Sequence, residues 1–133
     1  MALLRGEEDD LELALLDEPK NYHAWQYRQW LARQFQIPLN QELAFTAKMI
    51  RRDPYNNSAW NHRYYTLLGG DSRLDALLMA EEVRFVQSLE SSIEGNRAIL
   101  SYLHALSKRI PNFEELLVDL GGVESYRELF KRD

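Results

Sequence analysis

At 133 residues the chain has room for one domain, and a 45% apolar, 11% aromatic composition supports a packed core rather than a disordered tail. The net charge of −5 comes with scattered basic residues, which excludes the clustered Lys/Arg stripe a nucleic-acid surface needs, and the absence of cysteine excludes disulfides and thiolate metal sites. No apolar run approaches the ~20 residues of a membrane span, and MALLRGEEDD turns acidic where a signal peptide would turn apolar, so a soluble, cytoplasmic protein is expected.

Taken in order, the chain reads as helix after helix. The acidic run 7–10 precedes Leu11, Leu13, Leu15 and Leu16, and acidic residues suit a first helical turn, so a helix is expected from about Glu8 to Asp17. Pro19 ends it. Asn21 is a candidate N-cap for a second helix over 22–35, with an apolar stripe at 24, 27, 31 and 35 and with Trp25 and Trp30 beside it. After Ile37-Pro38, Asn40 is the expected cap of a third helix over 41–52, with Leu43, Ala47 and Ile50 inward. Asp53-Pro54 closes it, and Asn57 or Ser58 is expected to cap a fourth helix that runs to Leu68 before Gly69-Gly70. A longer helix is expected from Asp71 or Ser72 to about Ser91, then one from Asn96 to the Ile110-Pro111 break, then a weaker pair over 113–120 and 123–131.

PKNYHAWQYRQW at 19–30 returns as PYNNSAWNHRYY at 54–65, a frame P-x-N-x-x-A-W-x-x-R at a spacing of 35 residues. A period near ~34 residues marks paired-helix repeats. The segment after Asn96 is a degenerate third copy, with Leu100 and Leu103 where Trp60 and Arg63 stand. The expected fold is all-α: one α-α superhelix over 1–133, with seven or eight helices in antiparallel pairs and repeats at about 19–53, 54–93 and 94–133. Trp25, Arg28, Trp60 and Arg63 are its structural anchors. A Trp buries ~150–250 Å², and an Arg three residues on shares its face and needs an aromatic to stack on or a carboxylate to pair with.

The start of each inner helix is the candidate site. Lys20, Asn21, Tyr22 and His23 stand where free backbone N–H groups and the helix dipole favour an anion, and a Lys, a phenol and an imidazole suit a phosphate or diphosphate. Asn56 and Asn57 occupy the matching turn of the next repeat.

NYHAWQYRQWL followed by NNSAWNHRYY resembles the repeats of the protein prenyltransferase α subunit, over roughly residues 11–106, and resembles the subunit shared by farnesyltransferase and geranylgeranyltransferase type I more than the Rab-specific one. The resemblance implies a C-terminal or truncated portion of such a subunit, wrapped round a β subunit as a heterodimer. It implies transfer of a farnesyl or geranylgeranyl group from an isoprenyl diphosphate to the cysteine of a C-terminal CaaX protein, with zinc, and magnesium as a second candidate, on the β subunit. Lys20, Asn21, Tyr22, His23, Asn56 and Asn57 would then lie near the isoprenyl diphosphate and peptide. The family's diphosphate-contacting Lys lies one repeat earlier, in a K-N-Y motif that Lys20 shares.

No catalytic residue, cofactor or metal site is expected in this chain alone. HExxH, CxxC, G-x-S-x-G and P-loop motifs are absent, and His23, His62 and His104 have no ligand spacing. Isolated, the chain is expected to be inactive and, exposing apolar faces, to self-associate. The alternative is a non-catalytic helical-repeat adaptor for other proteins, which has no need of an Asn-Tyr-His turn.

Overall fold

The computed structural model describes residues 2–68, 76–89, 92 and 96–115, with the side chains of 2–5 and 76 left aside. These residues form six helices: α1 (Ala2–Asp17), α2 (Tyr22–Gln34), α3 (Leu39–Arg52), α4 (Asn57–Leu68), α5 (Ala76–Gln87) and α6 (Arg97–Arg109). They contain no strand. Helices α1 and α3 are the outer members of hairpins with the inner helices α2 and α4, α6 continues the inner row, and α5 is tied to α4 and α6 through Glu82. Along the stack α4 packs on both α2 and α6. The fold is the expected all-α superhelix. Gly69-Gly70, the start of the long helix expected at Asp71 or Ser72, and nearly all of the pair 113–120 and 123–131 lie outside the described residues; at its other end α5 stops at Gln87, with Ser88 and Leu89 in a turn, short of the expected Ser91.

Helix starts differ from expectation in three places. α1 begins at Ala2, so the acidic run sits inside the helix rather than at its dipole end. Tertiary partners engage its carboxylates: Tyr27 Oη donates to Glu7 at 3.1 Å, Gln41 Nε2 to Glu8 at 3.2 Å, and Lys48 Nζ to Glu12 at 2.6 Å. α3 begins at Leu39, with Pro38 at the cap position and no side-chain cap, which leaves Asn40 inside the helix. Proline fits this edge because the first helical turn needs no N–H donor there. In α4 the cap is neither Asn57 nor Ser58; the Asn56 Oδ1 accepts the Ala59 N–H at 3.2 Å. Asn21 and Asn96 cap α2 and α6 in the same manner.

One hydrophobic cluster runs the length of the stack, from Leu11 and Leu15 through Trp25, Ile50 and Trp60 to Leu103, Leu106 and Phe113. The face that α2 buries is Ala24, Trp25, Arg28 and Leu31. It is not the stripe 24, 27, 31 and 35, since Tyr27 and Phe35 are 40% and 48% exposed. The reason is that Arg28 has buried partners, so a cation takes the position that a hydropathy pattern assigns to the surface.

The first two layers are each centred on a buried carboxylate. In the first, Arg28 Nη2 donates to Glu42 Oε1 at 2.7 Å while the guanidinium lies 3.4 Å from the Phe45 ring centroid. From the next layer, His62 Nε2 reaches Glu42 Oε2 at 2.8 Å. In the second, Arg63 donates to both Glu82 oxygens at 2.7 Å and lies over Phe85 at 4.0 Å, and Tyr102 from the third layer donates its hydroxyl to Glu82. Glu42 and Glu82, like Phe45 and Phe85, stand forty residues apart, as do His62 and Tyr102. Arg63 also donates to the Leu43 carbonyl and Thr46 Oγ1, both at 2.9 Å. A buried charge without such satisfaction costs several kcal/mol, so these layers hold only as complete sets.

Burial would raise the Glu42 carboxyl, but the hydrogen bond from His62 and the Arg28 charge outweigh it and hold the group below its ordinary value of 4.5. A carboxyl depressed in the folded state contributes stability that is present above pH 4.5 and is lost as pH falls through the lower folded value. Urea unfolding at pH 7, 5 and 3 is expected to show a falling midpoint below pH 4.5, with a smaller acid-dependent loss in Glu42→Gln. Equal acid sensitivity in the variant would assign the effect to other groups.

Candidate functional site

The turn between α1 and α2 is built on the Pro19 carbonyl. Trp25 Nε1 donates to it at 2.7 Å and Asn56 Nδ2 at 3.0 Å. The next layer repeats this arrangement: the Pro54 carbonyl accepts Trp60 Nε1 at 2.9 Å and Asn96 Nδ2 at 2.8 Å. One proline carbonyl thus takes the indole of its own repeat and the amide of the following repeat. Proline gives the turn a fixed φ, and the two donors fix where its carbonyl points.

On this base stands a short exposed segment. Lys20 and His23 are exposed, Asn21 is half-buried, and Tyr22 is 66% exposed. Asn21 Oδ1 accepts the Ala24 N–H at 3.2 Å, so its side chain satisfies one donor of the helix end. The Tyr22 ring meets His23 edge-on at 5.9 Å between centroids, and its hydroxyl accepts Gln26 Nε2 at 2.7 Å. Beside it lies an open groove of about 420 Å³, lined by Glu18, Pro19, Lys20, Asn21 and Asp53. Two carboxylates and one ammonium line that groove.

Of the residues singled out in the sequence, Lys20, Asn21, Tyr22 and His23 form one surface segment, and Asn57 is exposed on the first turn of α4. Asn56 is different. It is fully buried, with both ends of its amide bonded, one to the Pro19 carbonyl and one to the Ala59 N–H. It touches the segment from beneath, through the backbone. Trp25, Arg28, Trp60 and Arg63 are all buried, and each Arg finds both a carboxylate and an aromatic face. Their carboxylate partners, Glu42 and Glu82, were not apparent from composition or hydropathy, although E-x-x-F recurring at 42–45 and 82–85 is a readable signal.

The described residues contain no group of three or more His, Cys, Asp and Glu side chains placed to hold a metal ion. None of the described helices is long and apolar enough to cross a membrane.

The family model of the protein prenyltransferase alpha subunit repeat matches residues 4–35 and 39–69, the α1–α2 and α3–α4 hairpins. Residues 4–69 thus carry two protein prenyltransferase alpha subunit repeats. The matched units begin at an outer helix, a different phase of the same periodicity from units counted from Pro19. Geranylgeranyl transferase type-2 subunit alpha of Homo sapiens, and that of Sus scrofa, are each 33% identical over 79 residues, covering 53% of this chain and 14% of the relative. A chain in the structure of Candida albicans protein geranylgeranyltransferase-I complexed with GGPP superposes with a TM-score of 0.73 at 34% identity, over 79% of this chain and 35% of that one. The chain therefore spans a small part of the length of these relatives. They include both type-2 and type I enzymes, so the similarity does not single out the farnesyltransferase/type I subunit.

Proposed function

We propose that the chain serves as, or within, the α subunit of a heterodimeric protein prenyltransferase that moves a farnesyl or geranylgeranyl group from an isoprenyl diphosphate to a cysteine thiol at a protein C-terminus. The observation that carries this reading is the Lys20–His23 segment, presented on a helix N-terminus in a chain whose repeats and fold are those of prenyltransferase α subunits. In this role Lys20 supplies a point charge, and Tyr22 and Asn21 supply hydrogen-bonding groups, at the leaving diphosphate, where negative charge develops. His23 and Asn57 flank the peptide. Glu18 and Asp53 outnumber Lys20 in the adjoining groove, so most of the positive charge facing a diphosphate has to come from the partner. The zinc that ionises the substrate thiol, together with any magnesium, belongs to the β subunit in this reading, and the complex works in the cytoplasm.

The test is co-expression of the tagged chain with farnesyltransferase and with type I and type 2 geranylgeranyltransferase β subunits, followed by size exclusion and a transfer assay. A one-to-one complex that prenylates a peptide, and that loses about tenfold in kcat/KM on Lys20→Ala, supports the reading; tenfold is the size of one charge-assisted contact. A folded, helical chain that joins none of the β subunits turns the reading to a helical-repeat adaptor.

A further inference from the structure

We infer that Asn56, with Trp25, is a positioning residue for the exposed Lys20–His23 segment, acting on it from the neighbouring repeat through the Pro19 carbonyl. The inference deepens the prenyltransferase reading in assigning that segment a ligand, but the positioning itself rests on geometry alone. A fully buried Asn usually earns its place by satisfying local backbone, and an Asn N-cap needs only its Oδ1. Here the Oδ1 does that at Ala59, and the remaining Nδ2 crosses thirty-seven residues of sequence to the Pro19 carbonyl at 3.0 Å. The carbonyl it grips belongs to the residue just before Lys20. Trp25 Nε1 grips the same oxygen at 2.7 Å from six residues downstream.

Two donors on one acceptor oxygen restrain the peptide plane between Pro19 and Lys20, and that plane sets the direction in which the helix start faces. Downstream, the Asn21 N–H bonds the Glu18 carbonyl at 3.0 Å, the Ala24 N–H bonds Asn21 Oδ1 at 3.2 Å, and the Trp25 N–H bonds the Asn21 carbonyl at 3.1 Å. These three amides report whether the segment holds its place. The next layer is a built-in control, since Asn96 acts in the same way on the Pro54 carbonyl at 2.8 Å.

Asn56→Asp keeps the capping oxygen and removes the donor, so α4 keeps its start while Pro19 loses one bond. Trp25→Phe keeps a ring in the core and removes the other donor. Hydrogen exchange of the full chain is expected to speed up about tenfold at the Asn21, Ala24 and Trp25 amides in Asn56→Asp, the change expected for one buried hydrogen bond. The Ala59 amide is expected to stay within about twofold of its original rate. Asn96→Asp is expected to leave the first three amides unchanged and to speed exchange at Asn56 and Trp60, whose N–H groups bond the Asp53 and Asn56 carbonyls. Trp25→Phe should reproduce the Asn56→Asp pattern at Asn21 and Ala24. Unchanged exchange at Asn21 and Ala24 in both Asn56→Asp and Trp25→Phe, or a uniform rise across all helices, overturns the positioning role.

In an active α–β complex, Asn56→Asp is expected to raise KM for the isoprenyl diphosphate about fivefold and to lower kcat as well, because a displaced segment loses both ground-state binding and part of the stabilisation of the charge that develops on the diphosphate. Asn96→Asp should leave KM in place. An unchanged KM beside raised local exchange overturns the link between the clamp and the ligand. A wild-type complex without transfer activity refutes the prenyltransferase reading, and the exchange pattern still decides the clamp.

Discussion

Glu82→Ala is expected to destabilise the fold by about 3–5 kcal/mol, the cost of removing one partner from a buried pair. Glu82 is 2% exposed and accepts from three donor groups: Arg63 Nε and Nη2, each at 2.7 Å, and the Tyr102 hydroxyl. Alanine leaves the guanidinium buried with only the Leu43 carbonyl and Thr46 Oγ1 to bond. It also orphans Tyr102, whose phenol is pushed well above its usual 10.0 by burial and by the neighbouring Glu82 charge, and which is therefore a neutral donor at every ordinary pH. Calorimetry should show the loss as a drop of roughly 10–20 °C in Tm. The companion experiment is Glu82→Leu combined with Arg63→Met, which removes both charges and keeps apolar volume. It is expected to recover more than half of the loss, since paired buried charges are often replaceable by apolar groups at little cost. A Glu82→Ala protein within about 1 kcal/mol of the original would mean that water reaches Arg63, and that the layer does not depend on its carboxylate.

The repeat was legible in the sequence because its strongest residues are rare ones at one spacing. Trp25 and Trp60, Arg28 and Arg63, and Pro19 and Pro54 each recur after 35 residues, and the structure puts each pair in the same place. The need of a buried Arg for a carboxylate and an aromatic could also be stated from charge alone. Which carboxylate could not. Glu42 lies in an outer helix that reads as amphipathic, and a glutamate there is usually solvated. Its burial follows from Arg28 and His62 arriving from two other helices. The outward aromatics misled for the converse reason: Tyr27 and Trp30 read as core, yet they stack on each other at 5.7 Å near the surface. At the candidate site the exposed Lys20–His23 segment was readable as a cap followed by polar and aromatic residues. The support beneath it was not, because a side chain that bonds a distant carbonyl leaves no local pattern. In the sequence Asn56 stands with Asn57 in the turn that matches this segment, and only the fold shows it turned inward onto Pro19.

The two tryptophans Trp60 and Trp30 make the sharpest contrast for a second large effect. Trp60 is 1% exposed, packs against Tyr102 at 4.7 Å and Phe85 at 6.0 Å between ring centroids, and donates to the Pro54 carbonyl. Trp60→Ala removes an aromatic contact between the second and third layers and leaves a cavity, so the expected cost is about 3–5 kcal/mol. Trp60→Phe keeps most of the packing and loses the hydrogen bond to a carbonyl that still holds Asn96, for an expected cost of about 1–2 kcal/mol. Trp30 is 49% exposed, and Trp30→Ala should cost no more than about 1 kcal/mol, because about half of its surface already faces solvent and its ring partner Tyr27 is itself exposed. Urea unfolding of the three variants under one condition gives the order directly. Should Trp30→Ala prove as damaging as Trp60→Ala, Trp30 would have to be buried in solution, and the surface around Tyr27 and Trp30 would be covered by another copy of the chain. A dependence of the unfolding midpoint on protein concentration would then accompany it. With Trp30 free, the midpoint stays constant with concentration, and the aromatic pair remains an outward feature of α2 that contributes little to the fold.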